Sequence, residues 1–327
     1  MQGQTRTKGM SQMFHPGELA IQDATGVRDI AGANSKMIRS TIPDHIIPFV
    51  TSQSYCVVGG VSAMGDVWAE FVVGAAGFAT VGSAGASLSI SLGAGGLRER
   101  QLDLGIGNHL GLLFIDLSTR KRLRVNGRIA AMSGQNLTLS VDQSFPNCPK
   151  YIQARRFRAG GASSDPQCIE SGATLPDHVA NWITNADTFF VASTATDGAA
   201  DVSHRGGQPG FVQAQGQTLF IPDYHGNSMF STLGNFLLNP RAGLLFVDFE
   251  ANRTLQLTGV VDLQLAAKDA KTASADTGRW WKFRARRYVI SSIGSSVSAE
   301  FISASPFNPS LAGNPMKSVS ATRQDVG

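Results

Sequence analysis

The sequence predicts a mainly β protein: two tandem copies of a small closed or split barrel, with short helices. Three observations carry that prediction. Of 327 residues, 36 are glycine and only 16% are charged, which suits tight turns between strands better than a helical bundle. Apolar runs of about five to eight residues, rich in β-branched and aromatic side chains, are separated by Gly, Asp and Asn. The third observation is an internal duplication.

Residues Ile42–Phe78 and Leu175–Phe211 align without a gap at a constant offset of 133. Pro43 matches Pro176, Asp44-His45 matches Asp177-His178, and Gly77-Phe78 matches Gly210-Phe211. The likeness resumes where "LGLLFIDLSTRKRLRVNGRI" (Leu110–Ile129) meets "AGLLFVDFEANRTLQLTGVV" (Ala242–Val261) at an offset of 132. A period near 130 is too long for a solenoid repeat, so each copy is a whole domain. The division expected is an N-terminal extension (1–41), barrel one (42–158), a linker (159–174), barrel two (175–304) and a C-terminal tail (305–327). The linker and tail are Gly/Ser/Pro-rich.

Each copy opens on a short helix at "PDHI" or "PDHV". Strand-like runs follow: "SYCVVGGVSA", "WAEFVVGAAGFATV", "LGLLFIDL", "RLRVNGRI" and "NLTLSVDQSF" in copy one. Copy two has "TFFVAST", "PGFVQAQ", "TLFIPD", "AGLLFVDF", "TLQLTGVV" and "WWKFRARRYVI". "LSTRKR" and "FEANRT" are hairpin connections, and "NSMFSTLGNFLLNP" (Asn227–Pro240) is a helix ended by its proline. Five or six antiparallel strands per copy suggest a barrel.

Several classes are excluded. The net charge is only +4, with no lysine/arginine block of the kind that binds nucleic acid. The basic runs "RKRLR" (Arg120–Arg124) and "RWWKFRARRY" (Arg279–Tyr288) alternate with apolar residues, as strands with one basic face do. Such a face either neutralises a bound anion or is solvated. Three cysteines argue against a disulfide scaffold and for a reducing compartment. With no signal peptide and no membrane span, the expected location is cytoplasmic. The histidines are scattered and form no metal-ligand cluster. "GIGNHLG" (Gly105–Gly111) lacks the spacing of a dinucleotide loop.

Taken together, "RGGQPGFV", "PDYHGN" and "NPRAGLLF" in copy two, and "NCPKYIQARRF" in copy one, resemble the pyridoxamine 5′-phosphate oxidase-like family of flavin-binding split barrels, in its tandem-domain form. The resemblance covers most of residues 42–300. It implies two FMN-binding split barrels forming an intrachain pseudo-dimer, with FMN (FAD being the alternative) in the cleft between them. Copy two keeps the family's first half-motif, an arginine after the second strand followed by a "PD…GN" turn. Copy one has Val72 in place of Arg205, and "SLGAGGLRER" (Ser91–Arg100) in place of the turn. The Cys-x-Lys half-motif survives in copy one alone. Lys282 is the nearest candidate in copy two and is read as part of a strand.

These complementary losses imply one composite site and a degenerate second cleft. The cofactor-binding residues expected from copy two are Ser203, Arg205, Gly206, Pro222, Asp223, Asn227, Ser228 and Asn235. Copy one adds Cys148, Lys150, Tyr151 and Gln153. Arg205 is suited to a phosphate dianion through charge-assisted hydrogen bonds, although a turn arginine paired with a surface acid would look the same. Gly206 and Gly207 permit close backbone approach, and Asn227-Ser228 at a helix start would add N–H donors. His204 reads as a solvated strand histidine or an acid catalyst, Cys148 as a flavin contact or, lacking a histidine partner, an unactivated nucleophile. Trp68, Trp280 and Trp281 read as core or cleft-wall aromatics.

The function so implied is an FMN-dependent oxidoreductase, or reductase component, acting on a small organic substrate. Some tandem members carry a further iron–sulfur reductase module. The sequence stops at Gly327 without one, so NAD(P)H or a separate reductase partner is the expected electron source. The alternatives are a flavin carrier without turnover, a haem-binding split barrel, and a structural protein whose site has decayed. No catalytic residue is assigned, and association into a homodimer is left open.

Overall fold

The computed structural model describes residues 13–92, 101–160, 165–265, 274–294 and 296–310. Two antiparallel sheets, of seven and eight strands, share one seven-strand order. In the first, β1 (Tyr55–Val61), β2 (Val67–Val73), β3 (Ala79–Val81), β4 (Ser87–Ser91), β5 (His109–Asp116), β6 (Lys121–Ser133) and β7 (Asn136–Pro146) are ordered β2-β1-β5-β6-β7-β4-β3. Two further strands, β8 (Ala154–Gly160) and β9 (Cys168–Gly172), lead into the second copy. There β10 (Thr188–Thr194), β11 (Ala200–Gly206), β12 (Gln213–Gln215), β13 (Thr218–Pro222), β14 (Arg241–Asp248), β15 (Arg253–Gln264) and β16 (Trp280–Ser292) are ordered β11-β10-β14-β15-β16-β13-β12. The expected duplication is therefore a duplication of fold.

The pseudo-twofold relation extends beyond the sheets. β8 pairs with β17 (Ser296–Ser303), the strand that follows each copy's last sheet strand. β9, which falls within the expected linker, pairs with β16 at Gly172↔Tyr288, as Arg39 bridges to Ser144 in copy one.

The strand sequences explain why the barrels stay together. β1 and β10 are buried on both faces, because one face fills a barrel and the other meets the opposite barrel. Cys56 and Val58 lie in the first barrel's core, while Tyr55 and Val57 join Phe190, Ala192 and Val202 in a shared interface core. Phe189 and Val191 fill the second barrel. Burial at about 25 cal/mol per Å² makes this shared core a strong clamp. Two equivalent glycines allow the approach. A Cβ on Gly111 would come within 2.8 Å of the Asp201 Cα, and one on Gly243 within 2.6 Å of the Trp68 Cα.

Helices are few: α1 (Pro16–Ala24), α2 (Arg28–Asn34), α3 (Ile47–Thr51), α4 (Asp177–Asn185) and α5 (Ser231–Leu238). α5 is shorter at its start than the sequence suggests, since Ser228 and Phe230 adopt left-handed conformations (φ 60° and 63°) and place Asn227 and Ser228 in a loop. It ends at Leu238, ahead of Pro240. The N-terminal segment, read from sequence only as an extension, packs α1 on α5. It ties down the loop before α5 through Gln22 Nε2 to Met229 O (3.1 Å) and Asn34 Nδ2 to Asn227 O (2.7 Å). No helix among the described residues is long and apolar enough to cross a membrane.

Candidate anion-binding cleft between the barrels

A cleft opens between β11, the β13–α5 loop and the first turn of α5 on one side, and β6 with the loop after β7 on the other. Its construction begins with alternation along β6. Arg122 and Arg124 stand two apart on one face, and both reach across the interface to β11. Arg124 donates from Nη1 to Asp201 Oδ2 (2.8 Å) and from Nη2 to Ser203 Oγ (2.9 Å). Arg122 donates from Nε and Nη2 to the Cys148 carbonyl (3.0 and 2.7 Å), and from Nη1 to His204 Nδ1 (3.3 Å).

The second barrel contributes another pair. Arg205 Nη1 contacts Asp223 Oδ1 at 2.5 Å, and Arg279 Nε contacts Asp223 Oδ2 at 2.8 Å. Asp223, 3% exposed, is thus a clip between two guanidinium groups. The acid that pairs with Arg205 is a buried member of the expected site, so the plain surface pairing does not apply. Arg279 also lies 5.1 Å from the Phe230 ring centroid.

The charges do not cancel. Arg122, Arg124, Arg205 and Arg279 bring four positive charges, and Asp201 and Asp223 two negative ones, leaving +2 in this cluster. No ion pair involves Arg122 among the described residues. Burial lowers Arg122 to about 10, still far above neutrality, so it remains a cation. His204 is not solvated: it is buried, and desolvation followed by the charges of Arg122, Arg205 and Arg155 holds it well below the ordinary imidazole value. An arginine can only donate, so His204 Nδ1 accepts and the neutral ring carries its proton on Nε2.

Two further features suit an anionic ligand with a flat ring. The N-terminal turn of α5 has no side-chain cap, and Ser231, Thr232 and Leu233 line the cleft. Tyr151 and Tyr224 form an aromatic pair with centroids 5.1 Å apart.

Of the residues expected from sequence, Ser203, Arg205, Gly206, Pro222, Asp223, Asn227, Ser228, Cys148 and Tyr151 line this cleft. Gly206 faces Tyr151, whose carbonyl oxygen would be 2.1 Å from an added Cβ. Three expected residues stand elsewhere. Lys150 places its ammonium 5.5 Å from the ring centroid of Phe307, beside Tyr151, whose backbone is left-handed (φ 66°). Gln153 is consumed in holding Ser305 and Asn308 through hydrogen bonds of 2.8–3.1 Å. Asn235 lies a turn further along α5 and donates to Ser193 Oγ (3.0 Å). Lys282 lies within β16, as expected.

Arg122, Arg124 and Arg279 were not among the expected site residues. The signal for the first two was present in the duplicate, where Thr254 and Gln256 replace them. The pseudo-symmetric cleft is lined by Glu70, Phe71, Thr254, Gln256 and Arg287, with Cys168 and Ser171 of β9 along one side. Val72, the counterpart of Arg205, is buried in the barrel core. The expected counterpart of the "PD…GN" turn lies largely outside the described residues, which omit 93–100.

Residues 175–289 match the family model described as pyridoxamine 5′-phosphate oxidase, the family that the sequence motifs resemble. No curated protein matches the chain. Among solved structures, HupZ of Group A Streptococcus is similar at 13% identity, over 40% of this chain and 98% of that one (TM-score 0.29). HutZ of Vibrio cholerae, described as a haem storage protein, is 13% identical over 36% of this chain and 94% of its own (TM-score 0.27). A Clostridium acetobutylicum protein of the pyridoxinephosphate oxidase family, related to general stress protein 26, is 11% identical over 33% and 77% (TM-score 0.23).

Proposed function

Residues 175–289 form a domain of the pyridoxamine 5′-phosphate oxidase family, and we propose on that basis that the cleft holds the phosphate end of FMN, one per chain, in an oxidoreductase or reductase component acting on a small organic molecule. The observation that carries this reading is the residual +2 of the arginine cluster, which a phosphomonoester dianion neutralises. Arg122 and Arg205 would bind the phosphate, with the uncapped N–H groups of α5 beside them. Asp223 holds Arg205 and Arg279 in place, and Asp201 does the same for Arg124. Tyr151, Tyr224 and Phe230 supply apolar surface for the ring system. When bound, the flavin supplies hydride or single-electron transfer.

One observation favours a carrier without turnover as the second reading. In the arginine cluster both carboxylates, Asp201 and Asp223, are engaged by guanidinium groups and His204 is held neutral.

The test is the visible spectrum of the purified protein and its titration with FMN and riboflavin. Flavin bands, one FMN per chain and much weaker riboflavin binding are expected. A colourless protein that takes up neither refutes the proposal, and a Soret band transfers it to haem. Anaerobic bleaching by NAD(P)H then separates enzyme from carrier.

A further inference from the structure

A second cavity adjoins the cleft, and Ser231 lines both. Its wall includes Glu18, from the N-terminal helix. The helices α1 and α5 cross where a Cβ would not fit: on Gly17 it would come within 2.1 Å of the Gly234 oxygen, and on Gly234 within 2.6 Å of the Glu18 nitrogen. This crossing seats Glu18 on the first turn of α5. Glu18 is 7% exposed, and among the described residues its one salt-bridge partner is the neutral imidazole of His15. Its Oε2 accepts the His15 backbone N–H at 3.0 Å. His15 Nδ1 in turn accepts the N–H groups of Gly17 and Glu18, so that imidazole is an acceptor on this side and neutral. The His15 Nε2 is 3.5 Å from Glu18 Oε2.

Other groups around Glu18 act in opposite directions. Asp201 on β11 repels its charge, while Arg124 on β6 attracts it and the Ser231 side chain stabilises it. The far wall of the cavity carries His109, Asp197 and the exposed Arg128–Asp142 pair. Burial dominates and raises the Glu18 carboxyl to about 7, so both protonation states are populated near neutrality.

We propose that Glu18 is the proton store of the cleft, exchanging a proton with the bound ligand through the Ser231 hydroxyl. The proposal rests on the cleft being a flavin site. In the transfer, the Glu18 O–H bond breaks as a new one forms on Ser231 Oγ, and the original Ser231 proton passes to a phosphate oxygen of the ligand held at the first turn of α5. No electrons move in this step, and water in the second cavity reprotonates the carboxylate. Glu18 acts through Ser231 and not on the ligand directly. It supplies a carboxyl outside the arginine pairs that hold Asp201 and Asp223.

The test uses the full chain with and without FMN. Infrared difference spectra across pH should show a protonated carboxyl that titrates near pH 7 in the wild type and is missing in Glu18→Gln. Ser231→Ala and FMN should each shift that titration. If Glu18→Gln fails to fold, Ser231→Ala carries the same reading. A carboxyl that titrates near 4.5, or one near 7 that neither Ser231→Ala nor FMN moves, overturns the proposal. Failure of FMN to bind the wild type refutes the flavin reading instead. Inorganic phosphate is then the infrared probe: a shifted titration upholds the link between Glu18 and the cleft, and an unmoved one overturns it.

Discussion

The two clefts occupy equivalent places in one pseudo-symmetric molecule, and their residues differ at each charged position. Where one has Arg122, Arg124, Asp201, Ser203 and Arg205, the other has Thr254, Gln256, Trp68, Glu70 and Val72. The first cluster sums to +2. Among the charged residues lining the second, Glu70 and Arg287 sum to zero. The backbone that carries them is the same, with matching strand order and matching glycines at the barrel contact. Duplication therefore preserved the strand order around both clefts, while side-chain chemistry left a net positive cluster in one. The N-terminal helices deepen the difference, because α1 braces the loop and helix of the charged cleft.

The comparison is broken most severely at the buried ion pair. Arg124→Leu strands Asp201, 3% exposed, and should cost about 3–5 kcal/mol of unfolding free energy in denaturant titration. Gln256→Leu at the equivalent position removes one hydrogen bond to Ala69 O (2.8 Å) and should cost only about 1 kcal/mol. Similar losses for the two variants would mean that the clefts are energetically alike.

Glu18 should leave a pH signature on stability. Its folded value, about 7, lies above its ordinary 4.5, so the folded chain binds more protons between those limits. Stability from this group is full below pH 4.5 and falls by about 3 kcal/mol as pH rises through 7. Glu18→Gln should flatten that slope in urea melts at pH 5 and pH 8.

Arg205→Ala should weaken FMN binding by about 2 kcal/mol or more, roughly thirtyfold, by fluorescence titration. Val72→Ala, its mirror in barrel one, should leave flavin content unchanged. The smallest expected effect is that of Lys150→Ala on FMN affinity, within about twofold, since its ammonium faces Phe307 and not the cleft. A loss matching that of Arg205→Ala would return Lys150 to the site.

Much of the charged cleft was legible in the chain because duplication supplies an internal control. Arg205 stood out against Val72, and the same comparison marks Arg122 and Arg124 against Thr254 and Gln256. Their destination was not legible: Arg124 meets Asp201 at a sequence distance of 77, across an interface between barrels. Lys150 and Gln153 fall outside the cleft lining, because proximity along the chain does not fix which way neighbouring side chains turn, here to Phe307 and to Ser305. Glu18 was hidden entirely, since its environment is made by a helix more than two hundred residues away.

The amino-acid sequence by itself determined the local and repeated features: strand periodicity, turn glycines, the copy-to-copy offset and the asymmetry of the motifs. These depend on backbone sterics and on burial patterns that recur within each copy. Only the tertiary structure decided which charges share a low-dielectric space, which of them remain unbalanced, and where a carboxyl loses its water. Those are properties of distances between remote residues, and folding alone sets them.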